Sequence, residues 1–308
     1  MNQAMQTTDR PTTRAAQPSQ AVLDFYRGDG AMTSDPAHAA LYDALPDDIE
    51  RLTQVMHGLL LHQHIAPAYG QALSGQRLAE PHIRSVPKML DALLARDDRA
   101  LTAARPPDQR LVGVCRHFAT LFVTMLRVKG YAARARCGFG TYFETGRFID
   151  HWVCEYWDAA PARWILVDAQ IDELQRPLFK IDFDVLDVPR DRFVIAGEAW
   201  QECRAGRRDA GKFGIMQMTG LWFVAGNVLR DFAALSNVEM LPWDVWGPMM
   251  RPGETASAEQ LALLDRLAAL TRSPDTSFGE LRELYQHDPN LQVPATVFNA
   301  ALNRLEPV

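Results

Sequence analysis

Hydrophobic residues follow helical spacing early in the chain, strand-like alternation in the middle and helical spacing again at the end. The early three- and four-residue steps predict helices over residues 49–64, 86–96 and 115–129. Alternation among aromatic and branched residues predicts strands over residues 131–139, 147–157 and 163–170. Later helices are predicted over residues 221–235, 258–271, 278–287 and 294–305. Helices, then adjacent antiparallel strands, then helices are typical of the α+β class.

The domain organisation follows from the ends of these segments. Residues 1–20 are rich in Thr, Gln, Ala and Pro, which predicts a disordered tail. No Gly/Ser-rich or Pro-rich linker separates the strands from the last helices. We therefore predict a single domain over residues 21–308, with its core at about 105–200 and the helical part, 213–308, forming a wall of the cleft.

Composition and charge exclude several classes of protein. The 308 residues carry a formal net charge of −6 without a basic stripe, so nucleic acid is not an expected partner. No apolar run is long enough to span a bilayer, and the first segment lacks the apolar region of a secretory signal. We expect a cytoplasmic protein without a membrane partner, in which the four cysteines are free thiols.

The segment GVCRHFATLFVTML, residues 113–126, places a cysteine at the start of an amphipathic helix. The apolar face of that helix consists of Cys115, Phe118, Ala119, Phe122, Met125 and Leu126. A helix N-terminus favours the thiolate, and its free N–H groups can stabilise an oxyanion next to the sulfur. An inert core thiol would suit the same position, so the helix alone leaves both interpretations of Cys115 open.

Two predicted strands supply a histidine and a carboxylate. The short connection between them predicts an antiparallel hairpin. If its turn is centred between Ala159 and Ala160, Asp168 lies directly opposite His151 on one face. We expect the carboxylate to accept the Nδ1–H bond of His151, which leaves the other ring nitrogen to take a proton from Cys115. A one-residue change of register would separate the pair.

Three motifs together resemble the transglutaminase-like superfamily: GVCRHFATLFVTMLRVKGYAARA, DHWVCEYW and RWILVDAQID. The resemblance covers residues 112–172 and implies a papain-like core, in which a nucleophile helix packs on an antiparallel sheet. It implies that Cys115 is the nucleophile, His151 the general base and acid, and Asp168 the residue that orients His151. Many members carry an acidic residue two positions after the cysteine. This chain has His117 there, which we interpret as a surface or packing residue.

The resemblance implies acyl transfer through a thioester. The Cys115 thiolate attacks an amide or ester carbonyl, His151 protonates the leaving group, and an amine or water completes the reaction. Our preferred interpretation is a transferase that forms or exchanges an amide bond on a peptide, a carrier-bound acyl group or a small molecule. One alternative is a cysteine peptidase or amidase, and another is a binding or scaffold protein with an inactive site.

Five residues are candidates for substrate binding: Tyr69, His64, Trp152, Arg230 and Trp222. Arg230 either pairs with the neighbouring Asp231 or binds an anionic substrate group. Arg134 and Arg136, on one strand face, are further candidates. The spacing of His62 and His64 is a weak signal for metal ligands, and we expect neither a metal nor a cofactor.

Overall fold

The computed structural model describes residues 17–308, and it confirms the predicted α+β class. The predicted tail lies outside the described residues up to residue 16, and the helix α1 already begins at Gln20, with Ser19 as its cap. The helices are α1 (Gln20–Arg27), α2 (Ile49–Leu59), α3 (Val86–Leu94), α4 (Cys115–Val128), α5 (Gln175–Leu178), α6 (Ala196–Arg204), α7 (Leu221–Leu235), α8 (Ala258–Arg272) and α9 (Phe278–His287). Within this part of the chain, no helix is long and apolar enough to cross a membrane.

The strands of residues 17–308 form three sheets. They are β1 (Leu60–His62), β2 (Leu111–Gly113), β3 (Ala133–Gly140), β4 (Phe148–Asp158), β5 (Arg163–Val167), β6 (Phe193–Ile195), β7 (Phe213–Ile215), β8 (Met218–Thr219), β9 (Asp244–Val245), β10 (Thr296–Asn299) and β11 (Arg304–Pro307). The largest sheet has the order β6-β3-β4-β7-β8, and β5 also pairs with β4. All its pairs are antiparallel except β4 with β7. A parallel pair, β1 and β2, precedes α4 in the chain.

The nucleophile helix of the prediction is α4, and it packs against β3 and β4. Its apolar face shares one core cluster with Trp152, Cys154 and Tyr156 of β4. The Cys154 thiol donates to the Ala119 carbonyl at 3.2 Å. The opposite side of α4 is buried as well, because the Arg116 guanidinium donates to backbone carbonyls of the surrounding chain. The helix is therefore central to the fold rather than amphipathic at a surface.

The helices after residue 213 cover the other part of the sheet. Phe139 of β3 and Val194 of β6 share a second core cluster with side chains of α7 and α8. Asp231 of α7 accepts the N–H of Cys137 at 2.9 Å and so supplies a partner to a backbone group of β3. This part of the chain is thereby joined to the sheet by both apolar packing and hydrogen bonds.

Two predicted helices are wrong in part or in whole. The first, predicted over 49–64, ends at Leu59, and β-sheet pairing with β2 takes over at Leu60. The last, predicted over 294–305, is the hairpin of β10 and β11. Its turn is stabilised by the Asn299 side chain, which accepts the Leu302 N–H, and by the left-handed backbone of Asn303 (φ 51°). Side-chain bonding to the backbone and a left-handed residue both oppose helix continuation.

Candidate active site

Cys115 is the first residue of α4 because Val114 before it has an extended backbone, with φ −122° and ψ 176°. The Val114 N–H donates to His117 Nδ1 at 3.1 Å, and the His117 N–H donates to the Val114 carbonyl at 2.8 Å. The first N–H groups of a helix have no partner within that helix. The cysteine therefore occupies the end of α4 at which backbone donors are available for an oxyanion.

His117 fixes this helix start from inside the protein. Its side chain is fully buried, and Nε2 lies 3.0 Å from the Ile83 carbonyl. Because Nδ1 accepts a hydrogen bond, Nε2 carries the proton and donates to Ile83. Burial and the nearby Arg116 charge lower the pKa of His117 to about 3, so the ring is neutral. His117 is thus a packing residue, and the surface interpretation is wrong.

His151 and Asp168 meet in the protein interior. His151 Nε2 lies 2.8 Å from Asp168 Oδ2, and the two residues are 2% and 0% exposed. His151 lies within β4, whereas Asp168 comes directly after β5, where its N–H donates to the Val185 carbonyl at 2.8 Å. Asp168 also accepts the Tyr142 hydroxyl at 2.7 Å and the Gln170 N–H at 3.1 Å. The carboxylate therefore accepts hydrogen bonds from three donors, two side chains and one backbone N–H.

The register of the hairpin differs from the predicted one. Cys154 lies opposite Val167, so the turn is centred one residue later than predicted. The left-handed backbone of Ala162 (φ 52°) closes this turn. The change shifts the residue that lies opposite each position of β4 by two places. Asp168 therefore stays on the predicted face but is not directly opposite His151.

The ring nitrogen that contacts the carboxylate also differs from the prediction. We expected Nδ1 of His151 to face Asp168, but Nε2 does so. Nε2 lies farther from the backbone than Nδ1, and it spans the extra distance to a carboxylate that is not directly opposite. Nδ1 is consequently the nitrogen left for Cys115, whose side chain is close enough to His151 to help raise its pKa.

The electrostatics of the pair favour an imidazolium. Burial alone would lower the pKa of His151, but the Asp168 charge, the hydrogen bond that His151 donates to Asp168 and the nearby Cys115 raise it to about 10. Burial alone would raise the pKa of Asp168, yet His151, Tyr142 and Gln170 together lower it. A charged imidazole next to a thiol favours the thiolate. The arrangement therefore places a charged imidazole beside Cys115.

The site is enclosed by apolar side chains. Cys115 is only 6% exposed. The rings of Phe143, Tyr142 and Phe193 surround the His151 ring, with centroids 4.8, 6.0 and 6.3 Å away. Such packing fixes the imidazole and restricts the access of water to it.

Of the predicted substrate residues, Tyr69 and His64 lie in the segment that follows β1. The Tyr69 hydroxyl donates to Asp172 Oδ2 at 2.5 Å and accepts from Gln175 Nε2 at 3.0 Å. His64 is exposed, and its ring centroid is 5.7 Å from that of His62. His62 itself is buried, and burial together with His64 and His151 lowers its pKa well below the usual value.

The other three candidates are buried or hydrogen-bonded within the protein. Trp152 is 1% exposed and shares the core cluster of Cys115. Trp222 donates to the Thr219 carbonyl at 2.9 Å. Arg230 is buried and donates to Asn227 Oδ1 at 3.2 Å and to the Asp244 carbonyl at 3.0 Å.

The predicted pair of Arg230 with Asp231 is not formed. Asp231 pairs with Arg136 instead, at 2.8 Å. Adjacent helical residues point in different directions, so neighbouring charges along a helix do not face each other. Their separate partners follow from this geometry.

Sequence analysis missed Tyr142, which contacts the same carboxylate oxygen as His151. It lies between β3 and β4, where no periodicity indicates the direction of a side chain. As for metals, residues 17–308 contain no group of three or more His, Cys, Asp or Glu side chains placed to hold an ion.

Comparison with known proteins agrees with the motifs. Residues 92–169 match the family described as the transglutaminase-like superfamily, which confirms the predicted resemblance over this segment. This segment contains Cys115, His151 and Asp168, and the match supports a cysteine-dependent enzyme in general. No curated protein matches the chain.

One solved structure is similar, a protein from Cytophaga hutchinsonii provisionally described as a cysteine protease. The identity is 17%, the alignment covers 53% of this chain and 46% of that chain, and the TM-score is 0.20. The chain thus spans less than half the length of that relative.

Proposed function

We propose that this chain, which carries a transglutaminase-like core at residues 92–169, transfers acyl groups from an amide or ester to an amine through a thioester on Cys115. The observation that carries the proposal is the His151 ring, which lies 2.8 Å from the Asp168 carboxylate and has its pKa raised by both Asp168 and the Cys115 side chain. A nucleophile, a base and a group that orients the base are the parts that covalent acyl transfer requires.

The chemistry follows from the positions of these groups. The Cys115 thiolate adds to the carbonyl carbon, and the new oxyanion is stabilised by the free N–H groups at the start of α4. The His151 imidazolium then gives its proton to the leaving amine or alcohol as the carbon–heteroatom bond breaks. The neutral imidazole takes a proton from the incoming amine, which attacks the thioester and releases Cys115.

Transfer is favoured over hydrolysis by the enclosure of the site. The side chains that react are almost completely buried, and Phe143 packs edge-on against the His151 ring. A thioester that water reaches poorly persists until a bound amine attacks it. Hydrolysis by the same residues is the alternative, and it requires only that water occupy the position of the amine.

The first experiment measures whether Cys115 is an activated thiol. Iodoacetamide is added to the folded protein at neutral pH, and each of the four cysteines is followed by peptide mass spectrometry. We expect Cys115 to be alkylated first, whereas burial raises the pKa of Cys137 and Cys154 and keeps both thiols inert. Cys203 is the internal comparison, since that thiol lies outside the site and burial raises its pKa to about 11. Equal reactivity of Cys115 and Cys203 would refute catalysis and favour the scaffold alternative.

The second experiment separates transfer from hydrolysis. p-Nitrophenyl acetate is offered with and without a primary alkylamine, and acetylated Cys115 and the product amide are measured by mass. Amide formation above that of Cys115→Ala supports transfer. Release of acetate that no concentration of amine diverts would assign the chain to the hydrolases.

A further inference from the structure

One carboxylate oxygen in the site has two donors. Asp168 Oδ2 accepts both the His151 Nε2–H, at 2.8 Å, and the Tyr142 hydroxyl, at 2.7 Å. The other oxygen, Oδ1, accepts the Gln170 N–H at 3.1 Å. His151 and Tyr142 therefore compete for the charge on a single atom.

Packing fixes the Tyr142 ring in this position. The residue is 8% exposed, and its ring contacts Phe143 and Phe183, with centroids 4.5 and 5.2 Å away. Gly140 makes room for this aromatic group, because a Cβ there would lie 2.6 Å from Phe143 Cε2 and 3.2 Å from Tyr142 Cζ. The hydroxyl is thus directed at Asp168 by its surroundings rather than by the hydrogen bond alone.

The hydroxyl stays protonated while the site works. Burial and the Asp168 charge raise the pKa of Tyr142 well above its usual value. Tyr142 is consequently a permanent donor, whereas His151 gains and loses its proton during the proposed reaction. The constant hydrogen bond from Tyr142 therefore determines how strongly the Asp168 carboxylate stabilises the imidazolium of His151.

We propose that Tyr142 is a positioning residue of this site. Because it donates to the same oxygen, Asp168 Oδ2, as His151, it reduces the stabilisation of the imidazolium by the carboxylate. His151 can then release its proton to the leaving group. The proposal rests on the function proposed above. Without the hydroxyl, Oδ2 carries more charge, the imidazolium is stabilised further and the proton is released less readily.

The test is Tyr142→Phe, which keeps the ring and removes the hydroxyl. The His151 imidazole is titrated by NMR of the ring nitrogens across the neutral and alkaline range. We expect its titration to move upward by about one unit, the size of effect that loss of a hydrogen bond to a charged group can produce. The matched control is Tyr42→Phe, which removes a comparable buried bond, from the Tyr42 hydroxyl to Asp35 Oδ2 at 2.6 Å, outside the site. This control should lower stability without moving the His151 titration.

A second variant keeps the proposal testable if Tyr142→Phe does not fold. Site-specific replacement of Tyr142 by a fluorotyrosine retains the packing but makes the hydroxyl a stronger donor. The His151 titration should then move downward, opposite to the effect of phenylalanine. An unchanged titration, or a shift against these directions, overturns the proposal. Iodoacetamide labelling of the unaltered protein distinguishes the two failures, because a selectively reactive Cys115 with an unmoved His151 titration refutes the role of Tyr142 alone.

Discussion

His151 Nε2 lies 2.8 Å from Asp168 Oδ2, and neither residue is more than 2% exposed. Two opposing electrostatic effects, burial and the attraction of opposite charges, act on this pair of residues. Burial disfavours charge on both groups, but each group supplies the counter-charge that the other needs. The ion pair is maintained because its hydrogen bonds replace those lost to water. The reactivity of Cys115 should depend on it directly.

Asp168→Asn removes the counter-charge but keeps the shape of the side chain. Burial then dominates, so the pKa of His151 falls and the thiolate–imidazolium pair is lost. We expect the rate of Cys115 alkylation and any acyl transfer to fall on the order of 10²–10⁴-fold. The rates are measured with iodoacetamide at neutral pH. Asp187→Asn is the control, since Asp187 pairs with Arg163 in a half-exposed contact, and a similar loss there would contradict a specific role of Asp168.

His117→Ala tests the helix start. The substitution leaves the buried Val114 N–H and the partly buried Ile83 carbonyl without their partner. We expect a loss of about 2–4 kcal/mol in the free energy of unfolding, measured by urea denaturation. The exposed His287, which contacts the Glu283 carbonyl, provides the control variant His287→Ala, with little expected change.

The same residue should make stability depend on pH. The pKa of folded His117 is lowered to about 3, whereas the unfolded value is about 6.5. Its contribution is therefore fully present above about pH 6.5 and is lost progressively as the pH falls toward 3. His117→Ala should remove this part of the pH dependence. An identical slope of unfolding free energy against pH in the variant would show that folding does not shift the pKa of His117.

The sequence predicts those parts of the site that lie in elements with a regular hydrophobic period. Periodicity locates Cys115 at the start of α4 and His151 within β4, because a helix and a strand each have one dominant period. The alternation of side chains along a strand locates Asp168 on the correct face. A shift of two positions in the hairpin register leaves each side chain on the same face of the sheet. The turn centre, and with it the ring nitrogen that faces Asp168, depends on the left-handed Ala162, which alternation does not encode.

Periodicity does not predict the contacts of side chains outside helices and strands, or whether a polar strand face is buried. Tyr142 reaches Asp168 from the connection between β3 and β4, and its direction is set by aromatic packing from distant segments. Arg134 and Arg136 were candidates for substrate contact, but their strand face is buried and both donate to Glu155. A charged strand face gives the same sequence pattern whether it meets solvent or a buried carboxylate.

Gly138→Ala should damage both the sheet and the site. Gly138 lies opposite His151, and a Cβ there would be 2.4 Å from the Val194 carbonyl oxygen and 2.9 Å from Ile195 Cα. These are backbone atoms, so β3 and β6 would have to separate, at a cost of about 1–3 kcal/mol. Thermal unfolding and Cys115 alkylation should both show the loss. Gly279→Ala is the control, because no atom lies near its Cβ position in α9; an unfolding midpoint for Gly138→Ala as high as for this control would mean that the strands tolerate the methyl group.

A buried ion network joins the sheet to the later helices through Glu155. Its carboxylate accepts Arg134 Nε at 2.8 Å and Arg136 Nη1 at 3.2 Å, and Arg190 contacts its other oxygen. Arg136 continues the network to Asp231 of α7. Burial alone would raise the pKa of Glu155, but the three guanidinium groups lower it well below its usual value.

Glu155→Gln removes one charge from this network and leaves two buried arginines with fewer partners. We expect a loss of about 3 kcal/mol or more in the free energy of unfolding at neutral pH. In the unaltered protein the contribution of Glu155 is present above its unfolded pKa of about 4.3 and is lost as the pH falls toward the folded value. The variant should therefore show a flatter decline of stability below about pH 4.3 in urea titrations. Glu280→Gln removes the partner of the exposed Arg266, and a comparable loss there would attribute the effect to net charge rather than to the buried network.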